Sequence, residues 1–307
     1  MNRLIYLHHY PASLFSEKIR GMLGYLGLSW RSVEISSIMP RPLLMPLTGG
    51  YRKTPTLQIG ANVHCDTAVI AAALARHTGD ETLFAPGFTA HRVAEWADST
   101  LFRTTVAMNF RPEAIGAFMG QLSAEEVAAF QADRAELAGD APMVSMPPDA
   151  AISAFSAYLT QLETSLAQPF LFGAAPSIGD FSVYHCLWFI DQNPVNAALI
   201  EPFQNVRSWM KRIAAFGHGE VEAASAEEAL AHANELDPVL PELQSLALPG
   251  ADIGDNVLVA PTDYGRVPVA GTLIAASSME LVLERKAPEV NRVMTHFPNI
   301  GFDVTRQ

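Results

Sequence analysis

Ser13 follows a short apolar segment and a turn, where it can cap the N-terminus of a helix. A helix N-terminus presents unpaired backbone N–H groups and a partial positive charge. Such a site lowers the pKa of a thiol, ordinarily near ~8.5, because it favours the thiolate. Ser13 could therefore stabilise the thiolate of a bound ligand without being a nucleophile itself. The alternative is that Ser13 serves only as an N-cap.

Pro55 stands between an irregular loop and a predicted strand, in the segment Thr54-Pro55-Thr56. An X-Pro bond at such a point can be cis, which would turn the backbone of Thr54 outward. The N–H and C=O of Thr54 could then pair with an extended peptide, in the manner of an added strand. An ordinary trans proline at the start of a strand is the alternative.

Asp66 and Thr67 precede an apolar helical pattern, so they stand at a second helix N-terminus. The N–H groups there suit a carboxylate, and the Asp66 side chain suits an ammonium group. A ligand with an α-amino acid end would satisfy both. The alternative is that the pair simply caps the helix.

The elements that must position these residues follow the order βαβ and then ββα. Strands are predicted at 3–7, 30–35, 56–59 and 63–64, and helices at 14–27 and 68–76. From about residue 87 the pattern is helical, with stretches at 88–110, 123–139, 148–167, 178–191, 202–216 and 220–235. From about residue 250 it changes to short strands.

The pattern therefore predicts an α/β domain at 1–82, an all-α domain at 87–235 and a small β-rich appendix at 250–307. Because an appendix of this size is marginal alone, we expect it to pack on the helices. Asp263, Tyr264 and Gly265 form a turn signal between its first two strands.

The composition excludes several broad classes. The 307 residues are 49% hydrophobic, which supplies a sizeable core and excludes wholesale disorder. The net charge of −12 argues against nucleic acid as a partner, and no apolar run reaches the ~18–20 residues of a membrane span. Two cysteines, Cys65 and Cys186, are too few for a disulfide scaffold, so we expect a protein of the reducing cytoplasm.

The charge is distributed unevenly along the chain. Residues 1–82 contain eight Lys or Arg and five Asp or Glu, and eight minus five gives +3. The remaining residues carry the excess of acidic groups. A mildly basic segment on an acidic protein is compatible with a small anionic ligand.

Taken together, four motifs resemble those of serine- and cysteine-type glutathione transferases. Residues 13–20, Ser-Leu-Phe-Ser-Glu-Lys-Ile-Arg, resemble the family's S-P-F-S-x-K-V-R, with Leu for Pro at the second position. Residues 54–57, Thr-Pro-Thr-Leu, resemble the x-P-x-L loop, whose proline is cis in the family. Residues 66–70, Asp-Thr-Ala-Val-Ile, resemble E-S-x-x-I. Residues 173–180 resemble the family's helical-domain capping box, a folding motif in which Ser177 and Asp180 cap a buried helix.

The resemblance implies a thioredoxin-like N-terminal domain that binds glutathione as a substrate. Ser13 would donate to its sulfur, Thr54 beside cis-Pro55 would pair with the cysteinyl backbone, and Asp66 with Thr67 would hold the γ-glutamyl end. The glycine carboxylate requires a cation, and three candidates lie in the same loop: Arg41, Arg52 and Lys53.

The resulting expectation is a glutathione transferase that attacks an electrophilic small molecule, as a homodimer. A non-catalytic binding or assembly protein on the same fold is the alternative. Tyr10 is the rival to Ser13, since some transferase classes use a tyrosine hydroxyl. The adjacent His8 and His9 do not predict a metal site, because neighbouring strand residues face opposite ways.

Overall fold

The computed structural model describes residues 3–120, 122–141 and 146–307. The strands are β1 Ile5–His9, β2 Ser29–Glu34, β3 Thr56–Ile59, β4 Asn62–Cys65, β5 Glu220–Ala223, β6 Asn256–Pro261, β7 Val269–Ala276, β8 Glu280–Ala287, β9 Val290–Pro298 and β10 Phe302–Arg306. The α-helices are α1 Leu14–Tyr25, α2 Met45–Thr48, α3 Thr67–Thr78, α4 Phe88–Trp96, α5 Phe102–Asn109, α6 Pro112–Met119, α7 Ala124–Ala138, α8 Pro148–Ser165, α9 Ile178–Asp191, α10 Pro194–Ala197, α11 Gln204–Ala214 and α12 Ala226–Glu235.

The N-terminal part has the predicted βαβ and ββα order. Strand β1 pairs in parallel with β2 and antiparallel with β3, and β3 pairs antiparallel with β4. All five residues of β1 are buried, because helices cover one face of the sheet and α12 covers the other face. The Thr54–Pro55 peptide bond before β3 is cis, as expected, and so is the Met39–Pro40 bond.

Helix α9 is the centre of the helical part. It packs against α1 and α4, and all but two of its fourteen residues are buried. The predicted capping box is present: the Asp180 carboxylate accepts hydrogen bonds from the backbone N–H and the hydroxyl of Ser177, each at 2.8 Å. In the part of the chain that the structure describes, no helix is both long and apolar enough to cross a membrane.

The helix predicted at 88–110 is continuous, but it contains a π-helical segment. Residues Ala97–Leu101 form a π-helical segment between α4 and α5. Such segments occur mostly as single turns inside α-helices and are frequent at functional sites. Here the segment carries Asp98 towards α1.

The helix predicted at 220–235 is wrong in its first part. Residues Glu220–Ala223 form strand β5, which pairs in parallel with β2, and the helix begins only at Ala226. The left-handed backbone of Gly217 and Gly219 turns the chain onto the edge of the sheet, which ends the helical region earlier than expected.

The C-terminal strands continue the N-terminal sheet, and do not pack mainly on the helices as expected. Strand β9 pairs in parallel with β4, with Asn62 opposite Met294. Among the described residues this gives one ten-stranded sheet in the order β10-β6-β7-β8-β9-β4-β3-β1-β2-β5. The appendix is too small to form a sufficient core alone. It is stabilised by backbone pairing with β4 and by a shared core that includes Val63 and Phe297.

Candidate ligand-binding site

The sheet register brings the predicted ligand-binding segments to one end of the sheet. His8 near the end of β1 lies opposite Thr56 at the start of β3, and Thr56 lies opposite Cys65 at the end of β4. The turn after β1, the loop before β3 and the start of α3 therefore leave the sheet at the same end. These connections carry the following predicted site residues: Ser13, Thr54, Pro55, Asp66 and Thr67.

Ser13 is the N-cap residue of α1. Its hydroxyl oxygen accepts a hydrogen bond from the backbone N–H of Ser16 at 3.2 Å, and its own N–H donates to the carbonyl of Tyr10 at 3.1 Å. The residue is only 4% exposed, so the hydroxyl is buried next to the N-terminus of α1. This is the local arrangement that the sequence predicts for a group that can donate to an anion.

Arg41 braces the loop that precedes Pro55. Its guanidinium donates to the carbonyl oxygens of Ser36 and Arg52, each at 2.9 Å, and to Thr54 Oγ1 at 3.0 Å. The group is buried, and this burial lowers its pKa. Arg41 thus fixes the position of Thr54 from inside the loop.

Asp66 and Thr67 begin α3 as predicted. Asp66 adopts φ 98°, an uncommon conformation for a residue other than glycine, and its carboxylate accepts from the Ala68 N–H at 2.9 Å. Burial raises the pKa of the Asp66 carboxyl group, against the opposing influence of that hydrogen bond and of nearby Lys53 and Lys18. A carboxylate with a raised pKa still has ample capacity to accept from an ammonium group.

A buried ion-pair network supports the start of α3 from beneath. The Lys18 ammonium is fully buried, donates to Thr67 Oγ1 at 2.9 Å and lies 2.6 Å from the Asp98 carboxylate. His185 Nε2 lies 3.0 Å from the other Asp98 oxygen. Burial would raise the pKa of Asp98, but Lys18 and His185 together hold it below its ordinary value. Sequence reasoning missed this network, although Lys18 lies within the quoted motif.

The three loop cations named as candidates have different surroundings. Arg52 pairs with Asp133 at 2.8 Å and Glu136 at 2.9 Å, both on α7. Lys53 pairs with Asp263 of the β6–β7 loop at 2.6 Å. Arg41 is buried and donates its hydrogen bonds to groups of the loop itself. Lys53 is the one of these three cations whose carboxylate partner comes from the C-terminal part of the chain.

Tyr264 of the β6–β7 loop contacts the loop that carries Lys53. The Lys53 ammonium sits over the ring of Tyr264, 4.2 Å from its centroid. Burial raises the pKa of the Tyr264 phenol, and Asp263, Asp66 and Tyr10 add to this effect through their charge. The C-terminal part of the chain therefore reaches the neighbourhood of Asp66, a relationship that residue spacing could not indicate.

Comparison with known proteins identifies the family. The model of the glutathione S-transferase N-terminal domain matches residues 7–82, and that of the glutathione S-transferase C-terminal domain matches residues 126–212. A solved GST-like protein from Pseudomonas syringae is 38% identical, with 100% of both chains covered and a TM-score of 0.83. The chain belongs to the glutathione S-transferase family. The resemblance stated from the motifs is thereby confirmed.

Two further solved structures resemble this glutathione S-transferase family member in fold. A glutathione S-transferase from Rhodospirillum rubrum F11 is 15% identical, covering 69% of this chain and 88% of that one at TM-score 0.51. Glutathione transferase F7 from Populus trichocarpa is 13% identical, covering 75% and 100% at TM-score 0.50. No curated protein matched the sequence. The full-length match to the Pseudomonas protein means that the C-terminal strands are shared with it.

A second polar cluster of this transferase-family chain lies where β4 meets β8 and β9. The possible ligand atoms of His64, Glu280 and His296 lie within 4.8 Å of one another. His296 Nδ1 is 2.6 Å from Glu280 Oε1, its Nε2 is 2.8 Å from Asn62 Nδ2, and Arg76 lies 3.0 Å from the other Glu280 oxygen. A divalent cation would have to displace Asn62 and share Glu280 with a guanidinium. The cluster fits a buried hydrogen-bonded junction between strands better than a metal centre.

Neither cysteine is placed to act as a thiolate. Cys65 and Cys186 are both fully buried. Burial raises the thiol pKa of each. A buried thiol with a raised pKa is a poor source of thiolate.

Proposed function

We propose that this chain binds glutathione and stabilises its thiolate for attack on an electrophilic small molecule. The observation that carries the proposal is the sheet register, which gathers the ends of β1 and β4 and the start of β3 at one end of the sheet. A tripeptide thiol laid across that end meets a hydroxyl, an extended backbone segment and a helix N-terminus in turn. Family membership supports the same function.

The sulfur chemistry depends on Ser13. Because the Ser13 oxygen accepts from the Ser16 N–H, its hydroxyl hydrogen can be donated to a sulfur atom above α1. This hydrogen bond and the partial positive charge of the helix N-terminus both favour the thiolate over the thiol. The thiolate lone pair forms the new carbon–sulfur bond, and a leaving group departs with its bonding pair. No covalent bond to the protein is needed.

The remaining groups orient the peptide. The backbone of Thr54, which Arg41 braces, pairs with the cysteinyl residue as an added strand would. Asp66 accepts from the γ-glutamyl ammonium, and the N–H groups at the start of α3 with Thr67 hold its α-carboxylate. Lys53 is the cation for the glycine carboxylate. A homodimer located in the cytoplasm remains a prediction.

Calorimetric titration of reduced glutathione into the purified chain tests the proposal, with oxidised glutathione as the control ligand. Binding in the micromolar to millimolar range is expected, weakened by Asp66→Asn because the ammonium then loses its anionic partner. Asp80→Asn is the matched control variant, since Asp80 is a half-buried aspartate near the opposite end of α3. Absence of binding to either form of glutathione would overturn the proposal.

A further inference from the structure

The β6–β7 loop, residues 262–268, joins three parts of the chain. Asp263 pairs with Lys53 of the N-terminal part, and Tyr264 lies beneath the Lys53 ammonium. The Gly265 N–H donates to the carbonyl of Leu137 at the end of α7, at 2.8 Å. The loop is thus held at the boundary between the thioredoxin-like part and the helical part, and ligand sites form preferentially at such boundaries.

The Asp263 carboxylate is the anion that Lys53 meets in the structure. Lys53 is only 15% exposed and Asp263 is 40% exposed, so the anion is the more accessible member of the pair. Lys53 directly precedes Thr54, whose backbone is the proposed partner of the cysteinyl residue. The pair therefore lies within the ligand site rather than at a remote surface.

We propose that Asp263 is a specificity-determining residue that weakens the binding of thiol ligands with a carboxylate beside Lys53, relative to ligands with an uncharged end there. The proposal rests on the proposed glutathione site. A ligand carboxylate at this position must exchange with Asp263 for the same ammonium group, and the released Asp263 carboxylate then lies close to the ligand carboxylate. A ligand with an amide at that end can leave the Lys53–Asp263 pair intact. The discrimination comes from like-charge repulsion and from the lost ion pair.

The release of Asp263 has a structural consequence for the loop. The loop is fastened at one side by the Lys53–Asp263 pair and at the other by the Gly265–Leu137 hydrogen bond. Displacing Asp263 removes the first of these, while the Gly265–Leu137 hydrogen bond and the hydrogen bonds from Thr262 to the Gly301 carbonyl remain. The loop amides then exchange hydrogen more rapidly in the complex with a carboxylate ligand than in the complex with an amide ligand.

The experiment compares two ligands: glutathione and glutathione amidated at its glycine carboxyl group. Their affinities for the wild-type chain and for Asp263→Asn are measured by calorimetry. Asp263→Asn keeps the shape of the side chain and removes its charge. We expect it to tighten glutathione binding about fivefold and to leave binding of the amide unchanged. Asp303→Asn, an exposed aspartate of β10, makes the same change in net charge and should behave as wild type.

The outcomes separate the two proposals. Three results would overturn the role of Asp263: equal glutathione affinity in wild type and Asp263→Asn, weaker glutathione binding by the variant, or equal tightening for both ligands. None of these results would contradict the glutathione site. Absence of binding of either ligand to every variant would overturn the glutathione site and this inference with it. Hydrogen exchange of residues 262–268 in the wild-type chain gives a reading that needs no substitution. The same exchange rates with both ligands would also overturn the inference.

Discussion

The Lys18 ammonium and the Asp98 carboxylate form an ion pair at 2.6 Å between α1 and the π-helical segment. Lys18 is fully buried, whereas Asp98 keeps 23% of its side chain exposed. The same ammonium donates to Thr67 at the start of α3. One buried charge therefore connects the helix that begins at Ser13, the helix that begins after Asp66 and the helical part of the chain.

We expect Lys18→Met to lower the free energy of unfolding by about 3 kcal/mol, because it leaves the Asp98 carboxylate without its cation. Urea denaturation measures the loss. The double variant Lys18→Met with Asp98→Leu should recover part of it, since both charges are then removed. A double variant less stable than the sum of the two single changes would contradict this account.

We expect Ser13→Ala to lower transferase activity about 10- to 100-fold, the range that one hydrogen bond to a developing or formed anion supplies. The measurement is kcat/KM with an electrophile that the wild-type chain turns over. Ser225→Ala is the matched control, because Ser225 also caps a helix by accepting from the N–H three residues on, but lies at the start of α12.

Both serine variants should lose about 1 kcal/mol of stability through the missing cap. Full activity in Ser13→Ala would exclude Ser13 as the thiolate partner and direct attention to Tyr10, tested as Tyr10→Phe. A wild-type chain that binds glutathione and turns over no electrophile would favour the non-catalytic alternative.

We expect Asp180→Ala to lower the free energy of unfolding by at least about 3 kcal/mol. The fully buried carboxylate accepts from the N–H of Ser177, the N–H of Leu171 and Trp209 Nε1, at 2.8, 2.8 and 2.9 Å. The Ser177 hydroxyl donates to the same carboxylate at 2.8 Å, so four donors would lose their acceptor at once. Thermal and urea unfolding measure the effect, and the exposed Asp149 of α8, replaced by Ala, is the control. A difference below 1 kcal/mol between the two variants would refute the expectation.

We expect the stability of the chain to fall as the pH drops below about 6.5, partly because of His8. Burial lowers the pKa of His8 to about 4, against a hydrogen bond with Gln58 that opposes the shift. The unfolded chain takes up this proton near pH 6.5, so the stabilisation is complete above that pH and is lost on the way down towards pH 4. The slope is about 1.4 kcal/mol per pH unit for one such group.

The unfolding midpoint measured between pH 4.5 and 7.5 checks the role of His8. His8→Gln should flatten part of the dependence, while the exposed His77→Gln should leave it unchanged. His9 contributes in the same direction, since burial and then Arg20 lower its pKa to about 4. Superimposable pH profiles for wild type and His8→Gln would count against the assignment.

Features encoded by neighbouring residues could be predicted from the sequence. The N-cap at Ser13, the cis bond before Pro55 and the helix start after Asp66 each depend on a few adjacent side chains and on local backbone preferences. The helix α9 likewise follows from its capping box and its apolar run. Such elements carry their own signals, so they appear close to the predicted boundaries.

Features that depend on distant residues could not be predicted. Lys18 meets Asp98 across 80 positions, and Lys53 meets Asp263 across 210. Residue spacing does not indicate either contact, because only the complete fold brings these side chains together. The pairing of β9 with β4 and the strand at Glu220–Ala223 were missed for the same reason, since strand pairing is decided by the available edge and not by local pattern alone.

Because β4 pairs with β9, the sheet cannot be completed until the C-terminal strands have been synthesised. Asn62 and its strand partner Met294 are separated by 232 positions. At ~5–20 residues per second, a ribosome needs roughly 10–50 s to add the intervening chain. During that interval the edge of β4 that faces away from β3 has no partner strand, and an unpaired strand edge can pair with another chain. The final strands therefore act as a completion step for the first domain, and premature termination of translation would release a chain with an open edge.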